Sequence, residues 1–319
     1  MQLSFAPNLF VLGAAKSGST TLHRYLDRLP DVCMSRPKEP FFFEAFYDRG
    51  LDFYREHYFG HYQGERYIGD ARHRNLFLPY VPDRIKAVSP DARLIAILRH
   101  PVDRALSHWH HYHARGIDQA SFKRAISEDI KRIASGKRVE TPEEQAQHAD
   151  RMFVGEDKHR LGLGLYRTYV DTGYYAQQLQ RYFDRFDAKQ LHVILFDDLE
   201  HQPEAMFERL RAFLRVEQPP DDEPEVLHAN AALPQPPGRL EQFRRRLDQF
   251  GSRQSWRSIV PAGLRATAKA WLRRSDYAKT SVRKPSVSPR TRAMLLRHYE
   301  PHTRALEEML GRSLDAWRT

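Results

Sequence analysis

Three short apolar runs stand out from an otherwise polar chain: residues 9–14 (LFVLGA), 93–98 (RLIAIL) and 191–196 (LHVILF). Each falls far short of the ~20 apolar residues a membrane helix needs. Each has the length of a strand buried on both faces, where no polar side remains to alternate with the apolar one. Between the runs, apolar residues recur every three or four positions, as Leu22, Leu26 and Leu29 do. This spacing predicts helices over about residues 20–29, 102–114, 174–186, 203–214 and 289–310. Strands alternating with helices give the fold class: an α/β protein with a central parallel sheet flanked by helices.

Two stretches break the alternation. Residues 115–167 are densely charged and helical in composition, and residues 218–277 begin with the proline- and acid-rich QPPDDEPE and continue into the arginine-rich RLEQFRRRLDQF. No repeat and no clean linker divides the chain. A single domain over residues 1–319, with these two stretches as insertions, is therefore expected.

Composition narrows the function. Fifty-one Lys and Arg against 41 Asp and Glu leave a net charge of +10, which favours an anionic ligand. The basic residues are scattered rather than gathered into an arm or interleaved with aromatics, so nucleic acid is not an expected partner. Cys33 is the only cysteine, which excludes an intrachain disulfide and a cysteine zinc site and fits a reducing compartment. No basic segment precedes the first apolar run, so neither a signal peptide nor a transmembrane segment is expected and the location is read as cytoplasmic.

The first apolar run leads straight into AKSGSTTL (15–22). A small-residue loop between a strand and a helix aims several backbone N–H groups and the positive end of the helix dipole at one point, forming an anion cradle. Gly13 and Gly18 have the spacing of a Walker A loop, but Ser19 occupies the position of its lysine and Lys16 stands three residues earlier. A nucleoside triphosphatase needs that lysine on the β- and γ-phosphates, so a phosphate-bearing ligand held differently is expected. The second strand-to-helix junction reads LRHPVDRALSHW (98–109). Arg99 leaves its strand at the carboxyl end, where ligands bind in open α/β sheets, and its guanidinium suits a phosphate. Ser107, two turns along the helix, is placed to add a hydroxyl. Two grips on separate strands suit a nucleotide phosphorylated at two places.

AKSGSTTL, RPKEPFFFE (36–44) and LRHPVDRALSHW together resemble the three signatures of sulfotransferases that use 3′-phosphoadenosine 5′-phosphosulfate (PAPS). The resemblance is nearest to the heparan sulfate sulfotransferase branch and its bacterial relatives. DTGYYAQQLQRYFDRF (171–186) with LHVILFDDLE (191–200), and the closing segment from Lys284, extend the likeness to the whole chain outside the two insertions. It implies a P-loop-like fold and PAPS as co-substrate, with no metal required. It also implies that Lys16, Ser17, Gly18, Ser19, Thr20 and Thr21 hold the 5′-phosphosulfate, with Lys16 stabilising the departing charge. Arg99 and Ser107 then hold the 3′-phosphate, while Tyr174 and Lys284 line the nucleotide site.

Glu39 occupies the position of the glutamate base in the glycan-modifying branch. A carboxylate there is suited to draw a proton from an attacking hydroxyl, and Phe41, Phe42 and Phe43 are expected to desolvate it and raise its pKa. Taken without the resemblance, Glu39 reads as a surface carboxylate paired with Lys38. The chain departs from the family at GDARHRNLF (69–77), where Asp70 replaces a glutamate and Arg72, His73 and Arg74 replace a Ser/Thr-Pro element. The acceptor, which would be a glycan, lipid or natural product, is not legible. Two alternatives stay open: a divergent P-loop kinase or hydrolase using Asp197 or Asp198 for a metal, and a non-catalytic basic adaptor for anionic polymers. The histidines of HWHHYHA (108–114) lie on different sides of a helix with no carboxylate partner, and no metal site is expected there.

Overall fold

A computed structural model describes residues 5–114, 118–136, 167–218 and 285–319. Five parallel strands form one sheet: β1 (Leu9–Gly13), β2 (Val32–Met34), β3 (Tyr67–Ala71), β4 (Arg93–Leu98) and β5 (Leu191–Leu195), in the order β2-β3-β1-β4-β5. The three apolar runs are β1, β4 and β5, with β1 and β4 adjacent at the centre. The sequence pattern passed over β2 and β3. One is only three residues long, and the other, YIGDA, carries a glycine and a buried aspartate within its five positions.

Alternation along the central strands divides the core into two layers. Leu9 and Val11 of β1 and Ile95 and Ile97 of β4 face one layer with Leu22 and Leu26 of α1 (Ser19–Leu26). Further helices are α2 (Gly50–Tyr58), α3 (Val81–Val88), α4 (Pro101–His113), α5 (Phe122–Ala134), α6 (Tyr175–Phe183), α7 (Phe196–His201), α8 (Pro203–Leu214) and α9 (Pro289–Leu310). Met206, Phe207 and Leu210 of α8 join the α1 layer. Phe10, Leu12, Leu94, Ala96 and Leu98 face the opposite layer, with Ile85 of α3 and Leu179 and Tyr182 of α6. Both faces of the sheet are thus covered, and this is why β1 and residues 94–98 of β4 are apolar throughout.

Helix ends shift by a few residues from the sequence expectation. The helix expected over 174–186 runs from Tyr175 to Phe183, and the one expected over 20–29 stops at Leu26. Phe196, expected to close the last strand, opens α7. Within the first insertion α5 is helical as its composition indicates, while the described residues exclude 137–166 and 219–284.

The connection from β1 runs toward the β2 edge and that from β4 toward the β5 edge. The carboxyl ends of these two neighbours therefore form the topological switch point at which open α/β sheets bind ligands.

Candidate active site

The loop between β1 and α1 is fixed by its neighbours. The Ala14 N–H donates to the Ile97 carbonyl of β4 at 2.7 Å, and the Leu76 N–H donates to the Leu12 carbonyl at 2.8 Å. Gly13 has φ 146°, and a Cβ there would lie 2.7 Å from the His73 carbonyl oxygen. Gly18, at φ 99°, caps α1, and a Cβ on it would press against Leu199 at 3.0 Å. Glycine is required at both positions by backbone angle and space together. Among the described residues, the N–H groups of Gly18, Ser19, Thr20 and Thr21 meet no backbone carbonyl. They are the orphan donors of a helix N-terminus and fit an anionic group.

Lys16 adopts φ 67°. Its ammonium lies 3.4 Å from Nδ1 of His111 on α4, and its carbonyl accepts from the Arg99 guanidinium at 3.3 Å. Arg99 also lies over the Phe196 ring, 4.5 Å from its centroid, and it forms no ion pair among the described residues. The Tyr175 hydroxyl donates to the Arg99 carbonyl at 2.8 Å and fixes the turn. Ser107 is half-buried on α4, one turn before His111. Ser17 is fully buried beneath the loop, near Tyr175, whereas Lys16 and Thr20 remain partly exposed.

Glu39 stands on the other side of the site and shares the left-handed backbone of Lys16, also at φ 67°. Such conformations are uncommon outside glycine and concentrate at functional positions. Its carboxylate accepts from Lys38 Nζ at 2.8 Å, from Arg72 at 3.0 Å and from His73 Nδ1 at 2.7 Å. Burial works against its ionisation, but His73, Lys38 and Arg72 together hold the carboxyl well below the usual range. The phenylalanine run therefore does not raise the pKa of Glu39, contrary to the sequence expectation. Phe42 and Phe43 point into the core, and Phe41 lies under the Arg72 guanidinium, 3.9 Å from it.

Behind Glu39 is a closed ionic network. Arg72 donates through Nε to Glu44 at 2.7 Å, and Arg74 pairs with the other Glu44 oxygen at 3.0 Å. All three side chains are buried. Asp70 of β3 is fully buried, accepts from the Tyr54 hydroxyl, and has its pKa pushed up to about 7 by that burial. Electrostatic coupling reaches across the cleft to α4: His73 acts on His108, and Glu39 and Arg72 act on Tyr112.

The structure thus brings Lys16 to Thr21, Arg99 and Ser107 to one end of the sheet, with Glu39 nearby. Tyr174 lies beside α9. Its hydroxyl bonds His298 of α9 at 2.7 Å and its ring stacks on His302, while its neighbour Tyr175 reaches Arg99. Lys284 lies outside the described residues. His111, Tyr175 and His73 were not singled out as site residues. The four-residue step from Ser107 to His111 on one helix face was the available signal for the first; for the other two the sequence offered only proximity. Asp197 accepts from the Trp317 indole at 2.9 Å and Asp198 holds Arg312 through two bonds of 2.7 Å, so both are engaged in the C-terminal segment. Among the described residues no three potential metal ligands converge, and three of the four α4 histidines have separate partners: Lys16 for His111, Arg104 for His108 and the Asp118 carbonyl for His113.

A family model described as a sulfotransferase domain matches residues 6–232. The membrane-associated sulfotransferase kil1 of Dictyostelium discoideum is 23% identical over 265 residues, covering 66% of this chain and 56% of its own length. The bifunctional heparan sulfate N-deacetylase/N-sulfotransferase 1 of Xenopus laevis is 27% identical over 217 residues, covering 66% of this chain and 22% of its own length. The chain thus corresponds to about half of the first relative and under a quarter of the second. The crystal structure of a sulfotransferase from Alicyclobacillus acidocaldarius superposes over 99% of this chain and all of its own, with a TM-score of 0.64 at 24% identity, and shares the fold. Among the described residues no helix is long and apolar enough to cross a membrane.

Proposed function

The chain belongs to the sulfotransferase domain family, and from that premise we propose that it moves a sulfuryl group from PAPS to a hydroxyl or amine of an acceptor. The observation that carries this is the pair of anion grips at the β1–β4 switch point. One is the orphan N–H set of the glycine-flanked loop with Lys16; the other is Arg99, whose guanidinium has no carboxylate partner among the described residues. A nucleotide with phosphates at two places uses both. Lys16 and the backbone to Thr21 take the 5′-phosphosulfate, and Arg99 with Ser107 takes the 3′-phosphate. Lys284 belongs to the nucleotide side by its sequence position, whereas the contacts of Tyr174 with α9 leave Tyr175 as the tyrosine nearer the loop.

Catalysis of this kind rests on alignment and charge stabilisation rather than a covalent enzyme intermediate. Lys16 stabilises negative charge on the leaving oxygen, and Glu39 is the anionic centre toward which the acceptor proton is drawn. The acceptor is a glycan, lipid or natural product bearing a nucleophilic hydroxyl or amine. The lone, buried Cys33 supports a cytoplasmic setting.

Thermal unfolding with added ligand tests the assignment. At 100 times Kd, 3′-phosphoadenosine 5′-phosphate (PAP) is expected to stabilise the protein by about 2.7 kcal/mol, and ATP with Mg²⁺ by much less. Stabilisation by ATP–Mg²⁺ alone would instead make the protein a kinase or hydrolase. A response only to anionic polymers would make it an adaptor. The engagement of Asp197 and Asp198 already argues against the kinase alternative, which needs one of them for the metal.

A further inference from the structure

We propose that Trp317 is a positioning residue for nucleotide recognition, holding Arg99 in the pose that grips the 3′-phosphate; this rests on the role of Arg99 proposed above. Arg99 is half-buried and forms no ion pair among the described residues. Its guanidinium reaches the Lys16 carbonyl at 3.3 Å and otherwise lies against the Phe196 ring. A long side chain held so lightly loses rotamer freedom when it binds an anion, unless the groups around it fix its pose beforehand.

Trp317 touches each part of the frame around Arg99. It lies in the single 3-10 turn Asp315–Arg318 that follows α9. Its indole N–H donates to Asp197 at 2.9 Å, as a buried indole requires. Asp197 directly follows Phe196, the residue beneath the guanidinium, at the start of α7. The Trp317 ring meets the Tyr175 ring edge-on, with centroids 6.0 Å apart, and the Tyr175 hydroxyl donates to the Arg99 carbonyl at 2.8 Å. The indole also lies beside His100, the next residue after Arg99, at 6.3 Å between centroids. The floor under the guanidinium, the group that holds the carbonyl and the following residue thus all lean on one side chain.

The turn that carries Trp317 is fastened on both sides. Arg312 donates two bonds of 2.7 Å to Asp198 of α7. Leu314 is buried, and its N–H donates to Glu307 of α9 at 2.8 Å. Arg292, paired with Asp103 of α4 at 2.9 Å, donates to the main-chain oxygen of Thr319 at 2.8 Å. At 3% exposure Trp317 offers no surface to a ligand, so its influence on the nucleotide passes through Arg99.

The test compares, by calorimetry on the full chain, the binding of PAP with that of adenosine 5′-phosphate (AMP), which lacks only the 3′-phosphate. In Trp317→Ala, PAP affinity should fall about 3–10-fold, the range set by ordering one long side chain on binding, and AMP affinity should hold. Trp317→Phe keeps a ring against Tyr175 and His100 and loses the bond to Asp197. Its loss of PAP affinity should be smaller and in the same direction, and it decides the matter if the alanine cavity prevents folding. Arg99→Ala should lose most of the distinction between PAP and AMP. Adding Trp317→Ala to it should cost no further PAP affinity, because both changes act through one guanidinium. A wild-type PAP-to-AMP ratio in the Trp317 variants, an equal loss of both nucleotides, or an additive loss in the double variant overturns the proposal. If Arg99→Ala alone keeps the wild-type ratio, the 3′-phosphate assignment of Arg99 falls instead, a result separable because it is read with Trp317 intact.

Discussion

The two walls of the cleft handle charge in opposite ways. On the loop side, backbone N–H groups at the start of α1 and the Arg99 guanidinium lack an anionic partner among the described residues. On the Glu39 side, Lys38, Arg72 and Arg74 are matched to Glu39 and Glu44 inside the protein. On the function proposed, an arriving anion completes the first wall, and its groups contribute to binding and rate more than to folding. The second wall is complete before any ligand arrives, and its pairs hold the segment after β2 against the end of β3. Breaking one partner of such a buried pair strands a charge, which costs far more than losing a surface contact.

This contrast can be broken first on the second wall. Arg72→Met removes one of the two guanidinium groups paired with Glu44 and one of the three donors to Glu39. Chemical denaturation should show a loss of about 3–5 kcal/mol, and a variant as stable as wild type would mean that the network is not a folding element. Next, on the first wall, Lys16→Ala and Arg99→Ala should each slow sulfuryl transfer about 10²–10³-fold, or about 2.7–4 kcal/mol in transition-state stabilisation. Their unfolding midpoints without ligand should stay at the wild-type value. Unchanged turnover in both variants would sink the proposed nucleotide side.

The smallest effect concerns the pH response of the second wall. Asp70 is pushed up to about 7 by burial, above the ~3.9 of an unfolded aspartate. A raised folded pKa means that the native state holds the proton longer. The associated stability is present at low pH and is lost as pH rises toward 7, at about 1.4 kcal/mol per unit between the two values. Asp70→Asn retains an acceptor for the Tyr54 hydroxyl and should flatten that decline. Urea denaturation at pH 5, 6, 7 and 8 gives the slope, and an unaltered slope would show that Asp70 does not set it.

Much of the fold was legible because its central strands are buried on both faces and so announce themselves as apolar runs. β3 escaped because its burial is partly polar: Asp70 sits inside the sheet, satisfied by Tyr54, a partner 16 residues away. The loop between β1 and α1 was legible for a different reason: its shape depends on local backbone geometry, and Gly13 and Gly18 mark that geometry directly. Which of two adjacent tyrosines meets Arg99 was not legible: Tyr174 precedes the first turn of α6 and turns to α9, and the contact with Arg99 falls to Tyr175.

By itself the sequence determined the parallel α/β class, the glycine-flanked loop after β1 and the arginine at the end of β4, because each depends on residues adjacent along the chain. The net electrostatic state of Glu39 was decided by the tertiary structure. The pairing with its neighbour Lys38 was legible in the sequence. The three phenylalanines that follow Pro40 suggested a raised pKa, yet folding turns two of them into the core and delivers Arg72 and His73 from the end of β3. Charge acts through space over a few ångströms, so a carboxylate's chemistry belongs to the groups that the fold places around it.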